Sequence, residues 1–108
     1  EKEVEMARKK RFAPLPVSDV DRFAELLKAL ASSARLRIVN ALAGGELTVT
    51  EICNLTGLKQ SLVSQQLKIL RLNGVVESRK EVPHTFYSLS DEHVVEMLNC
   101  LSRCHAGR

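Results

Sequence analysis

Residues 48–76, TVTEICNLTGLKQSLVSQQLKILRLNGVV, constrain the fold more than any other stretch of the chain. They predict two short helices joined by a tight turn. Thr48 with Glu51 three residues later has the form of a capping box. Ile52 and Leu55 supply apolar positions, and Gly57 suits the left-handed residue that closes a helix. A second helix is expected from about Gln60 to Leu72, with Val63, Leu67 and Leu70 at helical spacing and Asn73-Gly74 as its stop. Its opposite face carries Gln60, Ser61, Ser64, Gln65 and Lys68. Short side chains that both donate and accept hydrogen bonds, on the exposed face of such a helix, suit the DNA major groove. An ordinary helical hairpin with a solvated face has the same pattern, and the residues beyond Gly74 decide between the two.

Val75-Val76 leads into Glu77 to Glu81, a break at Val82-Pro83-His84, and then Thr85 to Leu89. Val76, Ser78 and Lys80 alternate with their neighbours, and Thr85, Phe86 and Tyr87 are strand formers, so a two-stranded hairpin is predicted. Arg79 and Lys80 are placed near its tip, within reach of phosphates. Helix, turn, helix, hairpin is the order of a winged helix-turn-helix.

The segments LKALASSARLRIVNAL, ELTVTEIC, KQSLVSQQLKIL and RKEVPHTFYSLS, with the closing helix from Asp91, resemble the ArsR/SmtB family. These are small dimeric bacterial repressors that release DNA on binding a metal ion or on thiol chemistry. The likeness runs from about Phe23 to Cys104. It departs from the family at Lys59, where a Ser usually caps the recognition helix, and at Val82-Pro83, where a Gly-Arg pair is frequent. The resemblance implies a mainly α fold with a small β-hairpin, dimeric through its first and last helices, and a double-stranded operator as partner. Gln60, Ser61, Ser64 and Gln65 are the expected base-edge readers, and Lys59, Lys68, Arg79 and Lys80 the expected phosphate contacts.

Composition agrees. At 108 residues the chain is one domain, and with 44% hydrophobic but only 4% aromatic residues its core must be aliphatic. A net charge of +3 permits a polyanionic partner without demanding one. No run is long enough to span a membrane and no signal peptide is evident, so a cytoplasmic location is expected. An odd cysteine count, three, argues for thiolate or metal chemistry over a disulfide framework. Nothing resembles an activated nucleophile, a phosphate-binding glycine loop or a paired-carboxylate site, so no enzyme and no small organic substrate is expected. A winged helix used only for protein or RNA contacts, or one without a metal inducer, stays open. The steep salt dependence of DNA binding separates the first of these.

Residues 1–17, with Arg8-Lys9-Lys10-Arg11, read as a basic N-terminal arm, and residues 18–108 as the winged domain with its C-terminal sensor helix. Ser18 is the expected N-cap of the first helix, whose apolar residues are Val20, Phe23, Ala24, Leu27, Leu30 and Ala31. Ser32 or Ser33 caps the next helix, with Leu36, Val39 and Leu42 as its buried stripe and Gly44-Gly45 as its end.

The last helix, from Ser90 or Asp91 to about His105, carries an apolar stripe of Val94, Met97, Leu98 and Leu101 that needs a partner. At about 100° per residue, His93, Cys100 and Cys104 share one face, but His93 and Cys104 lie about 16 Å apart along the axis. That separation forbids one ion bound within a chain. Two such helices running antiparallel across a dyad bring His93 of one beside Cys104 of the other. In the resembled family's interfacial metal site, Asp91 and His93 match the first two ligands and Cys104 the third. The fourth falls at Gly107, so His105 or Cys100 is the candidate replacement. Asp91 also reads as a helix cap, and Cys100 as interface packing. Such ligands suit zinc, with cadmium, cobalt, nickel and arsenic as the other candidates. Cys53 matches the last cysteine of the arsenic- and cadmium-sensing motif ELCVCDLC, but Thr48 and Thr50 replace the other two, so Cys53 is expected to pack inside the helix-turn-helix. A Cys100–Cys104 thiol switch is the alternative inducer chemistry, because residues four apart are helical neighbours.

Overall fold

Every element expected from the sequence is present in the computed structural model, which describes residues 13–106 and the side chains of residues 13–104. The order is α1 (Val17–Leu30), α2 (Ser33–Leu42), α3 (Val49–Thr56), α4 (Gln60–Leu72), β1 (Val76–Glu81), β2 (His84–Leu89) and α5 (Glu92–Ala106). The basic run Arg8–Arg11 lies outside the described residues, as does the His105 side chain.

α1 starts before Ser18, correcting the expected cap. Pro16, extended at φ −56° and ψ 146°, is the N-cap, and no side chain caps the helix. Its carbonyl accepts from the backbone N–H groups of Asp19 and Val20 at 3.0 and 3.1 Å, and proline has no N–H to leave unpaired there. In α2 the cap is Ser32, whose hydroxyl accepts from Arg35 N–H at 3.3 Å. The buried residues are Ile38, Val39 and Leu42. Leu36 is 38% exposed instead, because it turns toward α5, where it lines a groove with Leu98 and Leu101.

The helix-turn-helix forms from its local signals. Thr48 Oγ1 accepts from Glu51 N–H, and the Glu51 carboxylate accepts from Thr48 N–H at 2.9 Å, which completes the capping box. Gly57 closes α3 at φ 75°, a conformation costly for residues with a Cβ. Ile52 is fully buried, whereas Leu55 is 66% exposed and contributes nothing to the core. Val63, Leu67 and Leu70 fix the inner face of α4.

The two strands pair antiparallel from Val76↔Leu89 to Glu81↔His84. His84 therefore belongs to the second strand, and only Val82-Pro83 makes the turn. Tyr87 also pairs with Leu47, through backbone bonds of 3.0 and 2.8 Å, which ties the wing to the loop before α3. The core is aliphatic as expected: Ala29, Leu30, Ile38, Val39, Leu42, Ile52, Val63, Leu67, Leu70, Val75, Val76 and Val94. Val20, Phe23 and Leu27 of α1 and Leu101 of α5 remain 41–57% exposed.

Candidate DNA interface and sensor helix

Gln60, Ser61, Ser64, Gln65 and Lys68 are all exposed on α4. Positions 60, 64 and 68 form one row and 61, 65 and 68 its neighbour, so these side chains make one continuous polar face. Lys59 is the extended N-cap of α4 and makes no side-chain cap bond. The adjacent Gln66 points the other way. Its side-chain oxygen accepts from Arg35 Nη1 at 2.9 Å, while Arg35 Nε donates to the Ala29 carbonyl. One guanidinium thus joins the end of α1 to α4. Sequence reasoning missed this pair, and no local pattern signals it.

The wing cations differ sharply. Arg79 sits opposite Phe86 in the ladder, with its guanidinium 4.9 Å from that ring. Its Nε and Nη2 donate to the two Glu46 oxygens at 3.0 and 2.9 Å, and Nη1 donates to Glu81. These bonds hold the Glu46 carboxyl below its ordinary range and push the Arg79 pKa up. Arg79 lies near the tip, as expected, and is engaged there by Glu46, Glu81 and the Phe86 ring. Lys80, opposite Thr85, is exposed and makes no ion pair among the described residues. Arg71, at the end of α4, reaches Ser78 of the wing at 3.5 Å.

At the start of α5, Asp91 Oδ1 accepts from the backbone N–H of His93 at 2.8 Å and lies 2.7 Å from His93 Nδ1. The backbone bond, then the ring bond, holds the Asp91 carboxyl below its usual value. The same carboxylate raises the His93 pKa, helped by Glu96 and Glu92. Both side chains are exposed, so water screens the pair. Cys100 and Cys104 are exposed free thiols one turn apart, while Cys53 is half-buried against the core. Among the described residues no three potential ligands come together, as the axial separation of His93 and Cys104 requires.

Known proteins share this architecture. The model of the family described as bacterial regulatory protein, arsR family, matches residues 32–78, which run from the cap of α2 into β1. The HTH-type transcriptional regulator NmtR of Mycobacterium tuberculosis is 38% identical over 92 residues, covering 85% of this chain and 77% of NmtR. The chain belongs to the ArsR family. The transcriptional activator HlyU of Vibrio cholerae is 42% identical over 85 residues, covering 77% of this chain and 79% of HlyU. Its solved structure matches with a TM-score of 0.74 over 82% of this chain and 96% of that one, at 39% identity. A homodimeric winged helix-turn-helix domain from Mycobacterium bovis, described as a possible ArsR-family transcriptional regulator, matches at TM-score 0.73 and 30% identity. It covers 88% of this chain and 91% of that one. This ArsR-family chain is a DNA-binding transcription regulator of winged helix-turn-helix architecture and not an enzyme. No helix among the described residues is long and apolar enough to cross a membrane.

Proposed function

We propose that this regulator is a homodimeric repressor that holds a palindromic operator with α4 and is released by a metal ion bound between subunits. The ligands are Asp91 and His93 of one α5 with Cys104 and His105 of the other, and zinc is the leading candidate ion. One observation carries the metal reading. Asp91 Oδ1 and His93 Nδ1 lie 2.7 Å apart on one exposed turn, so an oxygen and a nitrogen ligand stand side by side once the ring proton between them has left. Adding thiolate sulfur gives a donor set that suits a borderline-soft ion in tetrahedral geometry. Cys104 of the same chain is too distant, so the third donor comes from a second copy. The bare apolar residues of α1 and α5 give that copy its docking face.

On DNA, Gln60, Ser61, Ser64 and Gln65 read base edges while Lys59, Lys68 and Lys80 meet phosphates. Metal and operator then oppose each other by the same factor in both directions. HlyU is described as an activator, so a reporter transcribed from the operator reads the sign of regulation by this chain.

The test titrates zinc into metal-free protein and follows operator release together with proton release. Wild type should give both. His93→Ala and Cys104→Ala homodimers should give neither, while a mixed dimer of the two variants keeps one complete site. Normal zinc affinity in the His93→Ala homodimer would sink the shared site. A thiol reading is favoured by one observation of its own: Cys100 and Cys104 are both exposed and one turn apart. Release by a disulfide-forming oxidant, abolished by Cys100→Ser and indifferent to His93→Ala, assigns the switch to the thiols instead.

A further inference from the structure

Arg79 lies in a setting unlike that of a phosphate ligand. Residues directly opposed in an antiparallel ladder share a face. The register therefore puts Glu77, Arg79 and Glu81 with Ser88, Phe86 and His84 on one face of the wing. Val76, Ser78 and Lys80 share the other face with Leu89, Tyr87 and Thr85. Val76 is buried and Ser78 meets Arg71 of α4, so the second face is the one turned toward the helices. Arg79 instead faces Glu46 and Glu81, with Glu77 on the same side. A phosphate arriving there meets an excess of carboxylates.

Glu46 has a position of consequence. It lies between the end of α2 and Thr48, the cap of α3, and next to Leu47, whose backbone pairs with Tyr87 of the wing. The two-pronged Arg79–Glu46 contact and the Leu47–Tyr87 pair therefore form two adjacent links between wing and loop. A planar guanidinium bound at both oxygens of one carboxylate fixes orientation as well as distance. The Phe86 ring, 4.9 Å away, adds a cation–π contact to the same group.

We propose that Arg79 is a positioning residue for DNA binding and not a phosphate contact: with Glu46 it fastens the wing to the loop that opens α3, so that Lys80 on the opposite face is presented to the DNA backbone. The inference rests on DNA binding alone and is independent of the inducer. It makes an unusual demand. Removing an acid from a DNA-binding surface ordinarily strengthens binding, yet removal of the Glu46 charge should weaken it.

The experiment uses the full chain and a duplex selected by wild-type protein from a random pool, with affinity followed across a salt series. Glu46→Gln and Arg79→Gln should each weaken binding by roughly threefold, as loss of an exposed but well-oriented pair allows, with the salt slope unchanged. The double variant should lose no more than either single one. Lys80→Gln should instead lower the salt slope by about one. Without DNA, hydrogen exchange at the Leu47 and Tyr87 amides should quicken in both single variants, a readout that stands even where DNA binding is lost. Tighter binding by Glu46→Gln with a steeper slope would make Arg79 a phosphate ligand held back by Glu46. A lowered slope in Arg79→Gln with a silent Glu46→Gln, additive losses, or unchanged exchange would equally overturn the proposal.

Discussion

Leu27→Ala is expected to loosen the homodimer by roughly thirtyfold. Leu27 is 55% exposed on α1, in line with Val20 and Phe23. Complete burial of a leucine side chain is worth about 1.5–3 kcal/mol, so covering its bare half contributes about 1 kcal/mol. A dyad counts the residue twice, which gives about 2 kcal/mol, and each ~1.4 kcal/mol is a factor of ten. Sedimentation equilibrium over a dilution series reads the constant directly. Operator titrations should show the same shift once protein is diluted below it, with binding turning quadratic in protein concentration. Leu55→Ala is the control, because Leu55 on α3 is even barer at 66%. The dimer constant should ignore it. An unmoved constant in Leu27→Ala, or an equal loss in Leu55→Ala, would refute the assignment of α1 to the interface.

On α4, Gln65→Ala should cost about 1–3 kcal/mol on the operator and little on random duplex; equal losses on both remove it from the readers. In metal-free protein, the His93 ring followed by NMR should titrate above the ordinary histidine value of 6.5, and Asp91→Asn should bring it back down. Because the folded value is the raised one, the stabilisation from this pair is complete below the ordinary value and is lost as pH rises through the folded midpoint. The difference in Tm between wild type and Asp91→Asn should therefore shrink toward alkaline pH, and a difference that widens there contradicts the assignment. Zinc uptake should weaken as pH falls through the same midpoint, since the His93 proton must leave first.

What the sequence displayed was whatever acts over a few residues. The Thr48–Glu51 box, the left-handed Gly57 and the 63-67-70 stripe are all written within one or two helical turns, and each formed as expected. The α2 stripe misled because 36-39-42 and 38-39-42 are both helical patterns, and only the place of α5 decides which side is inside. Pro16 displaced the Ser18 cap because an extended proline carbonyl serves the first turn without any side chain. The partners of Arg79 were hidden for a longer-range reason. Its partner Glu46 is thirty-three residues away in the chain, and an exposed basic residue on a wing looks the same whether or not a carboxylate awaits it. The face shared by His93 and Cys104 came from helical geometry, but the convergence proposed for them needs a second copy, which a single sequence cannot exhibit.

The Arg35 guanidinium divides its donors between two elements, Nε to the last turn of α1 and Nη1 to Gln66 of α4. Lysine offers a single nitrogen on a flexible stem and cannot span both acceptors in fixed directions. The consequence is mechanical. A shift of the Ala29 carbonyl beyond the tolerance of a hydrogen bond is passed to the recognition helix, taken up by the Arg35 and Gln66 side chains, or breaks one of the two bonds. The helix expected to meet a second copy and the helix expected to meet DNA hang from the same hook.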